Sequence, residues 1–303
     1  QQLFERTRKE GRAALIAYLT AGDPSPDKTP EIAATLVRAG VDLIELGVPF
    51  SDPVADGPVI QRASARAIDA GTTLPKVLEI AKQIRAKSEV PLLLFTYLNP
   101  ALHYGLEKLA ADAKACGVDG VLLTDLSVEE AGAFMQPLRA AGLDTVFLAA
   151  PTSTARRLKL VSEYSTGFVY LVSRTGVTGE RTALSDSLGE LVGKMRGVTT
   201  LPLAAGFGIS TPEQAHTVAQ MADGVVVGSA TLGKGLVQTV DPLPDGGELF
   251  ITWSRLLAPR GWPIQGLGLM PQVCTSRGRD ALRKQLDALA EGRQPMKIGR
   301  AHV

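Results

Sequence analysis

Between Ala13 and Val227 the chain repeats one rhythm: a short apolar run, a polar or Gly-rich turn, then a segment with helical apolar spacing. The runs are Ala13 to Leu19, Leu43 to Leu46, Pro91 to Tyr97, Gly120 to Leu123, Leu143 to Ala149, Phe168 to Val172, Leu201 to Ala205 and Gly224 to Val227. Helical spacing covers Asp27 to Ala39, Ile60 to Ala70, Leu74 to Lys87, Val128 to Ala141 and Thr154 to Tyr164, with Gly40 and Gly117 as stop signals. Strands joined through helices pair in parallel, because a parallel crossover needs a long connection. Eight such strands in about 230 residues point to an α/β fold of the (β/α)8 barrel type. An open doubly wound sheet is the alternative. Against it, Gly206-Phe-Gly-Ile-Ser-Thr211 carries Thr where a dinucleotide fingerprint needs its third Gly.

After residue 230 the rhythm stops. Gly233, Gly235, Asp241, Pro242 and Pro244 stand where an eighth helix belongs, and they make a poor one. Residues 231 to 274 carry Gly/Pro-rich turns and short strand-like runs such as Glu248 to Leu257, whereas Ser276 to Ala290 has amphipathic helical spacing. The expectation is a barrel over residues 1–230 lacking its own eighth helix, plus a small β-containing segment over residues 231–303. Charge changes at the same place: residues 231–303 hold ten Lys/Arg against six Asp/Glu, and residues 1–230 hold 22 against 25.

The net charge of +1 gives no basis for electrostatic binding of nucleic acid or an anionic membrane. Cys116 and Cys274 have neither metal-ligand nor redox spacing, and no apolar run approaches the ~18 residues of a membrane span. No signal peptide opens the chain, so a reducing cytoplasm is the expected setting. His103 and His216 fall on helical segments and His302 on the tail, with no spacing suited to a metal, so no metal site is expected.

Chemistry concentrates in Asp42 to Pro58. Alternation along the second strand puts Leu43, Glu45 and Gly47 on one face and Ile44 and Leu46 on the other, which aims an acid inward. Burying such a group costs several kcal/mol unless it is paired or neutralised, so Glu45 is either half of a buried salt bridge or a functional acid. Asp56 follows in a loop long enough to fold back over the barrel mouth. Two carboxylates there can divide labour, one transferring protons and one staying ionised to hold a donor. Asp52 caps a turn or meets a partner protein.

Three Gly-rich segments also follow strands: Thr175 to Gly179, Gly206 to Gly208, and Gly228-Ser229. Glycine lets backbone N–H groups approach an anion, and the loops after strands seven and eight are the usual barrel phosphate site. Each could also be a tight turn alone; together they imply a phosphorylated substrate. Tyr18, Ile60, Tyr97, Tyr170 and Phe207 stand at or beside strand ends and could hold a flat ring or fill the core. Ser173-Arg174 and Arg181 could pair with the phosphate or with Asp56, and the run Ser173 to Leu188 reads as a lid.

Four of these stretches resemble the tryptophan synthase α subunit: Tyr18-Leu-Thr-Ala-Gly-Asp-Pro24, Glu45 to Pro58, Tyr170 to Gly179 and Gly206-Phe-Gly-Ile-Ser210. The resemblance covers residues 1 to about 230. It implies cleavage of indole-3-glycerol phosphate to indole and glyceraldehyde 3-phosphate in tryptophan biosynthesis. It also implies an α2β2 heterotetramer, with no cofactor in this chain and pyridoxal phosphate in the β partner. By matching position, Glu45 is the expected acid/base, Asp56 the carboxylate on the indole N–H, and Gly179, Gly208, Gly228 and Ser229 the phosphate cradle. Arg174 and Thr178 fall on the lid. Ala17 and Ser127 stand where the family leads one to expect Pro. The other function class is a catalytically impaired barrel that binds phosphate or a β subunit. Another phosphosugar barrel enzyme would need a Schiff-base Lys or paired Asp on its strands.

The tail departs from that pattern. Thr231 to Gly247, with Ile264 to Pro271, resembles the distal end of carboxy-terminal processing peptidases of the S41 type, a Ser/Lys family. Lys234 matches that family's general-base lysine, but the chain is barrel sequence where its Ser should stand, so protease activity is not expected. The join near residues 225 to 230, and a final Ile298 to Val303 that reads like a translated sequencing adapter, lead us to expect a chimeric sequence with an artefactual end.

Overall fold

In the computed structural model the apolar runs become strands of a nearly closed barrel. The structure describes residues 1–172, 181–206, 209, 212–228, 240–242 and 248–250, all within the compact unit Gln1–Ser254. The barrel segments are β1 (Ala14–Thr20), β2 (Leu43–Gly47), β3 (Leu92–Thr96), β4 (Gly120–Leu123), β5 (Asp144–Thr145), β6 (Phe147–Ala149), β7 (Val169–Val172), β8 (Leu203–Gly206) and β9 (Gly224–Gly228). They form one parallel sheet ordered β5-β4-β3-β2-β1-β9-β8-β7-β6. Its two ends are halves of one chain run, since β5 pairs with β4 and β6 with β7. Nine segments therefore make eight staves. The expected fifth strand, Leu143 to Ala149, breaks at Val146, where the run changes partners; the Val146 N–H still donates to the Val121 carbonyl at 3.2 Å.

Alternation along the strands sorts the core into two layers. Ile16, Tyr18, Leu43, Leu93, Phe95, Leu122, Tyr170 and Val226 fill the barrel interior. Ile44, Leu46, Leu92, Leu94, Val225 and Val227 face outward, into the layer shared with the helices. An element absent from the sequence reading, the helix Gln2–Lys9, adds Phe4 to the interior cluster. Phe4 lies 5.5 Å from the ring of Phe168 and touches the space above Gly224. The helix is eight residues long with two buried side chains, Phe4 and Thr7, too few to show a period in sequence.

The expected lid also changes. A helix spans Arg181–Arg196, so the run Ser173 to Leu188 is not one loop: its second half is helical. Strand β10 (Val240–Pro242) pairs antiparallel with β11 (Glu248–Phe250), the described part of the strand-like run expected there. The place of the eighth helix and the helix expected over Ser276 to Ala290 lie outside the described residues.

Among the described residues one device occurs four times at the N-terminal ends of the strands. The Asp42 N–H donates to the Leu15 carbonyl (2.8 Å), and the Leu15 N–H donates back to Asp42 Oδ2 (2.9 Å). Asp119 makes the same reciprocal pair with Leu92 (2.9 and 2.8 Å). Asp223 makes it with Leu203 (2.8 Å each way). In the remaining pair of strands Thr166 replaces Asp, its N–H donating to the Thr145 carbonyl and its Oγ1 accepting from the Thr145 N–H, both at 2.9 Å. Each clamp satisfies a strand N–H at a sheet end where the ladder has run out. Arginines hold the three aspartates: Arg12 and Arg6 on Asp42, Arg85 on Asp119, Arg196 and Arg8 on Asp223.

Candidate active site

Glu45 occupies the middle of β2 on the inward face predicted from alternation, and its side chain is 0% exposed. The sheet register sets it between Tyr18 on β1 and Leu93 on β3, while Tyr18 in turn pairs with Gly228 on β9. Tyr18 leans over β2: a Cβ built on Gly47 would fall 2.3 Å from its hydroxyl. On the far side Tyr170 does the same over Gly206, with 2.4 Å from that built Cβ to its hydroxyl. Glycine at these two strand ends is what lets two phenols enter the barrel at the level of Glu45.

Gly47→Ala therefore overpacks the Tyr18 ring. We expect a loss of about 1–3 kcal/mol, read as a melting temperature lower by roughly 2–10 °C; an unchanged melt would mean that Tyr18 can yield.

Both phenols stay protonated. Burial, then the charge on Asp56, pushes Tyr18 well above the usual tyrosine range, with Glu45 adding to it. For Tyr170 burial comes first, followed by Glu45 and then Asp56. Both carboxylates thus act on the same pair of hydroxyls, which gathers the Glu45 and Asp56 of the sequence reading into one electrostatic site.

Asp56 reaches the mouth on the loop after β2. Its N–H closes a turn onto the Pro53 carbonyl (3.0 Å), and its own carbonyl accepts from Gln61 Nε2 (2.9 Å) on the helix Pro58–Asp69. Ile60, one of the expected ring-holding residues, is on this helix and packs into the barrel interior. Tyr97 follows β3, its ring 5.2 Å from that of Phe50 and its hydroxyl 2.9 Å from Asp56 Oδ2. Asp52 stays exposed and accepts from Ser51 Oγ at 2.5 Å, a local turn contact.

The structure thus brings Glu45, Asp56, Tyr18, Ile60, Tyr97, Tyr170 and Gly228 to one end of the barrel. Gly179, Gly208, Ser229, Phe207, Arg174 and Thr178 lie outside the described residues. His103 and His216 lie on the helices Leu98–Tyr104 and Pro212–Ala219 as expected. Among the described residues no group of three or more His, Cys, Asp or Glu is placed to hold a metal ion, and no helix is long and apolar enough to cross a membrane. The Tyr97 hydroxyl is what residue-level reading missed: sequence shows an aromatic residue after a strand, but not a partner 41 positions away.

A nearly closed parallel barrel with a fully buried acid among its strands and a second carboxylate folded over their C-terminal ends defines a (β/α)8 enzyme. Residues 4–241 match the family model described as tryptophan synthase alpha chain, and this chain belongs to that family. Its activity is accordingly the α-chain lyase activity of tryptophan biosynthesis, as the sequence resemblance implied. The tryptophan synthase alpha chain of Solibacter usitatus is 66% identical over 229 residues, 76% of this chain and 86% of that one. That of Pelobacter propionicus is 45% identical over 258 residues, 85% of this chain and 97% of its own length. Mycobacterium tuberculosis tryptophan synthase superposes with a TM-score of 0.71 at 39% identity, covering 76% of this chain and 88% of that chain. Residues 210–275 also match the model of peptidase family S41, so residues 210–241 fall within both matches.

Proposed function

We propose that Glu45 and Asp56 carry out the retro-aldol cleavage of indole-3-glycerol phosphate. Glu45 delivers a proton to the ring carbon that bears the side chain. The positive charge that develops on the ring nitrogen is met by the Asp56 carboxylate on its N–H. Glu45, now a carboxylate, takes the proton of the hydroxyl on the adjacent side-chain carbon. The bond between the two carbons breaks, its electron pair returns to the ring, and the hydroxyl carbon becomes the aldehyde of glyceraldehyde 3-phosphate. Protons balance, since the one given to the ring is recovered from the hydroxyl. The observation that carries this reading is the placement of Glu45, fully buried and inward beside Tyr18, with both carboxylates acting on the same two phenols.

Tyr18, Tyr170, Ile60 and Phe207 are the proposed walls for the indole, and Gly179, Gly208, Gly228 and Ser229 the proposed phosphate cradle, with Arg174 and Thr178 on the lid. The chemistry uses no cofactor in this chain. The proposed partner is a tryptophan synthase β subunit carrying pyridoxal phosphate, in a cytoplasmic α2β2 assembly; Val54, 83% exposed at the tip of the Asp56 loop, offers it an apolar contact. We propose also that residues 231–303 form a peptidase-like segment foreign to the barrel, supported by the family S41 match and testable by resequencing the gene across codons 225 to 235.

The test is indole release by the purified chain from indole-3-glycerol phosphate, alone and with a β subunit. Asp56→Asn should lower kcat by about ten- to a hundredfold, the worth of one hydrogen-bonded charge, with glyceraldehyde 3-phosphate inhibition unchanged. No release by a cooperatively melting chain that still binds a β subunit would point instead to the impaired binding module.

A further inference from the structure

Tyr97 was read from sequence as a ring that lines the indole site, yet its hydroxyl has a separate task. It donates to Asp56 Oδ2 (2.9 Å) and accepts the N–H of Ala55 (3.0 Å), so a single oxygen ties the carboxylate and the loop backbone beside it to the end of β3. We propose that Tyr97 is a positioning residue for Asp56: by holding Oδ2 and the backbone beside it, it fixes the direction in which the carboxylate meets the ring N–H. This rests on the assignment of Asp56 above.

Tyr97 is itself fixed from several sides. Its ring is buried against Phe50, its carbonyl accepts from Thr96 Oγ1 (3.4 Å), and the next N–H, on Leu98, donates to Asp125 Oδ1 (2.6 Å). Loops after three successive strands, β2, β3 and β4, thereby meet around Tyr97, the first through its hydroxyl and the last through the backbone N–H that follows it. The phenol keeps its proton, because burial, then the charges on Asp56 and Asp125, raise it above its usual range. With its only proton on Asp56, it must accept from Ala55, so the direction of both bonds is set. The loop cannot turn Asp56 away without breaking two hydrogen bonds together. Preorganisation of this kind acts on the transition state, where the ring nitrogen gains charge, more than on the neutral substrate.

Tyr97→Phe keeps the ring and deletes the oxygen. The expected result is a fall in kcat of about tenfold or more with KM for indole-3-glycerol phosphate within about twofold, and an unchanged melting temperature. In the Asp56→Asn background the same change should add less than about twofold, because the group it aims is already lost. Wild-type kcat in Tyr97→Phe, a raised KM at constant kcat, or full additivity with Asp56→Asn would each overturn the proposal and leave Tyr97 as a wall of the site. Wild-type turnover in Asp56→Asn alone would instead remove the underlying assignment of Asp56.

Discussion

Glu45→Gln is expected to lower indole release by about 10²- to 10⁴-fold, the usual contribution of a positioned acid/base. Glutamine has nearly the volume of glutamate but can neither deliver nor recover a proton, so the barrel interior around Tyr18 and Leu93 remains filled. The loss should fall on kcat, with inhibition by glyceraldehyde 3-phosphate and the melting temperature unchanged. Turnover within a few-fold of wild type would remove Glu45 from the chemistry and return it to the role of a buried structural acid. The comparison that separates the two carboxylates is with Asp56→Asn: loss of the proton donor should cost far more than loss of the N–H partner.

The second large effect is on stability. The Asp42 carboxylate is 4% exposed and accepts from Arg12 Nη1 (2.5 Å) and Nη2 (2.9 Å), from Arg6 Nη2 (2.7 Å) and from the Leu15 N–H (2.9 Å). Asp42→Ala strands that N–H at the start of the barrel and ends three charge-assisted bonds. Arg6 and Arg12 are half-exposed and can rehydrate, which limits the loss to about 3 kcal/mol, or roughly 6–12 °C in melting temperature. Burial works against the charge on Asp42, but the hydrogen bonds from Arg12 and Leu15 outweigh it and hold its pKa below the usual 3.8. A depressed folded-state pKa contributes stability that is complete above the unfolded value and is lost as pH falls through the folded one. Wild type should therefore lose this contribution below about pH 4, and the variant should show a shallower acid limb in a melting series. Equal acid limbs would show that Asp42 does not contribute in this way.

Legibility followed the range of the forces involved. Seven of the eight apolar runs became unbroken strands because burial on both faces writes itself into local composition, and Glu45 was placed inward by the two-residue period alone. The break at Val146 was not visible, because it depends on which neighbour each half of the run pairs with. The helix Gln2–Lys9 is too short to show a period. The Arg181–Arg196 helix begins inside a stretch that reads as lid because Gly179 and the polar residues after it resemble loop chemistry. At the site, residue types and loop positions were enough to nominate Asp56 and Tyr97, whereas the bond between them arises only when the loops after β2 and β3 converge. The clamps at the strand starts escaped for the same reason: each joins residues 20 to 27 positions apart.

Those clamps join β1 to β2, β3 to β4, β5 to β7 across the split stave, and β8 to β9, and the described bonds show the reciprocal pattern at these four seams. The eight staves are thus grouped in twos, each couple tied at its base. A ring assembled from four like couples has natural cut points between them, at the connections into β3, β5, β8 and β1. A permuted chain opened at one of these would keep every base clamp, whereas one opened within a couple would separate the halves of a clamp along the sequence. The one couple clamped by Thr166 rather than by Asp is the one that contains the split stave.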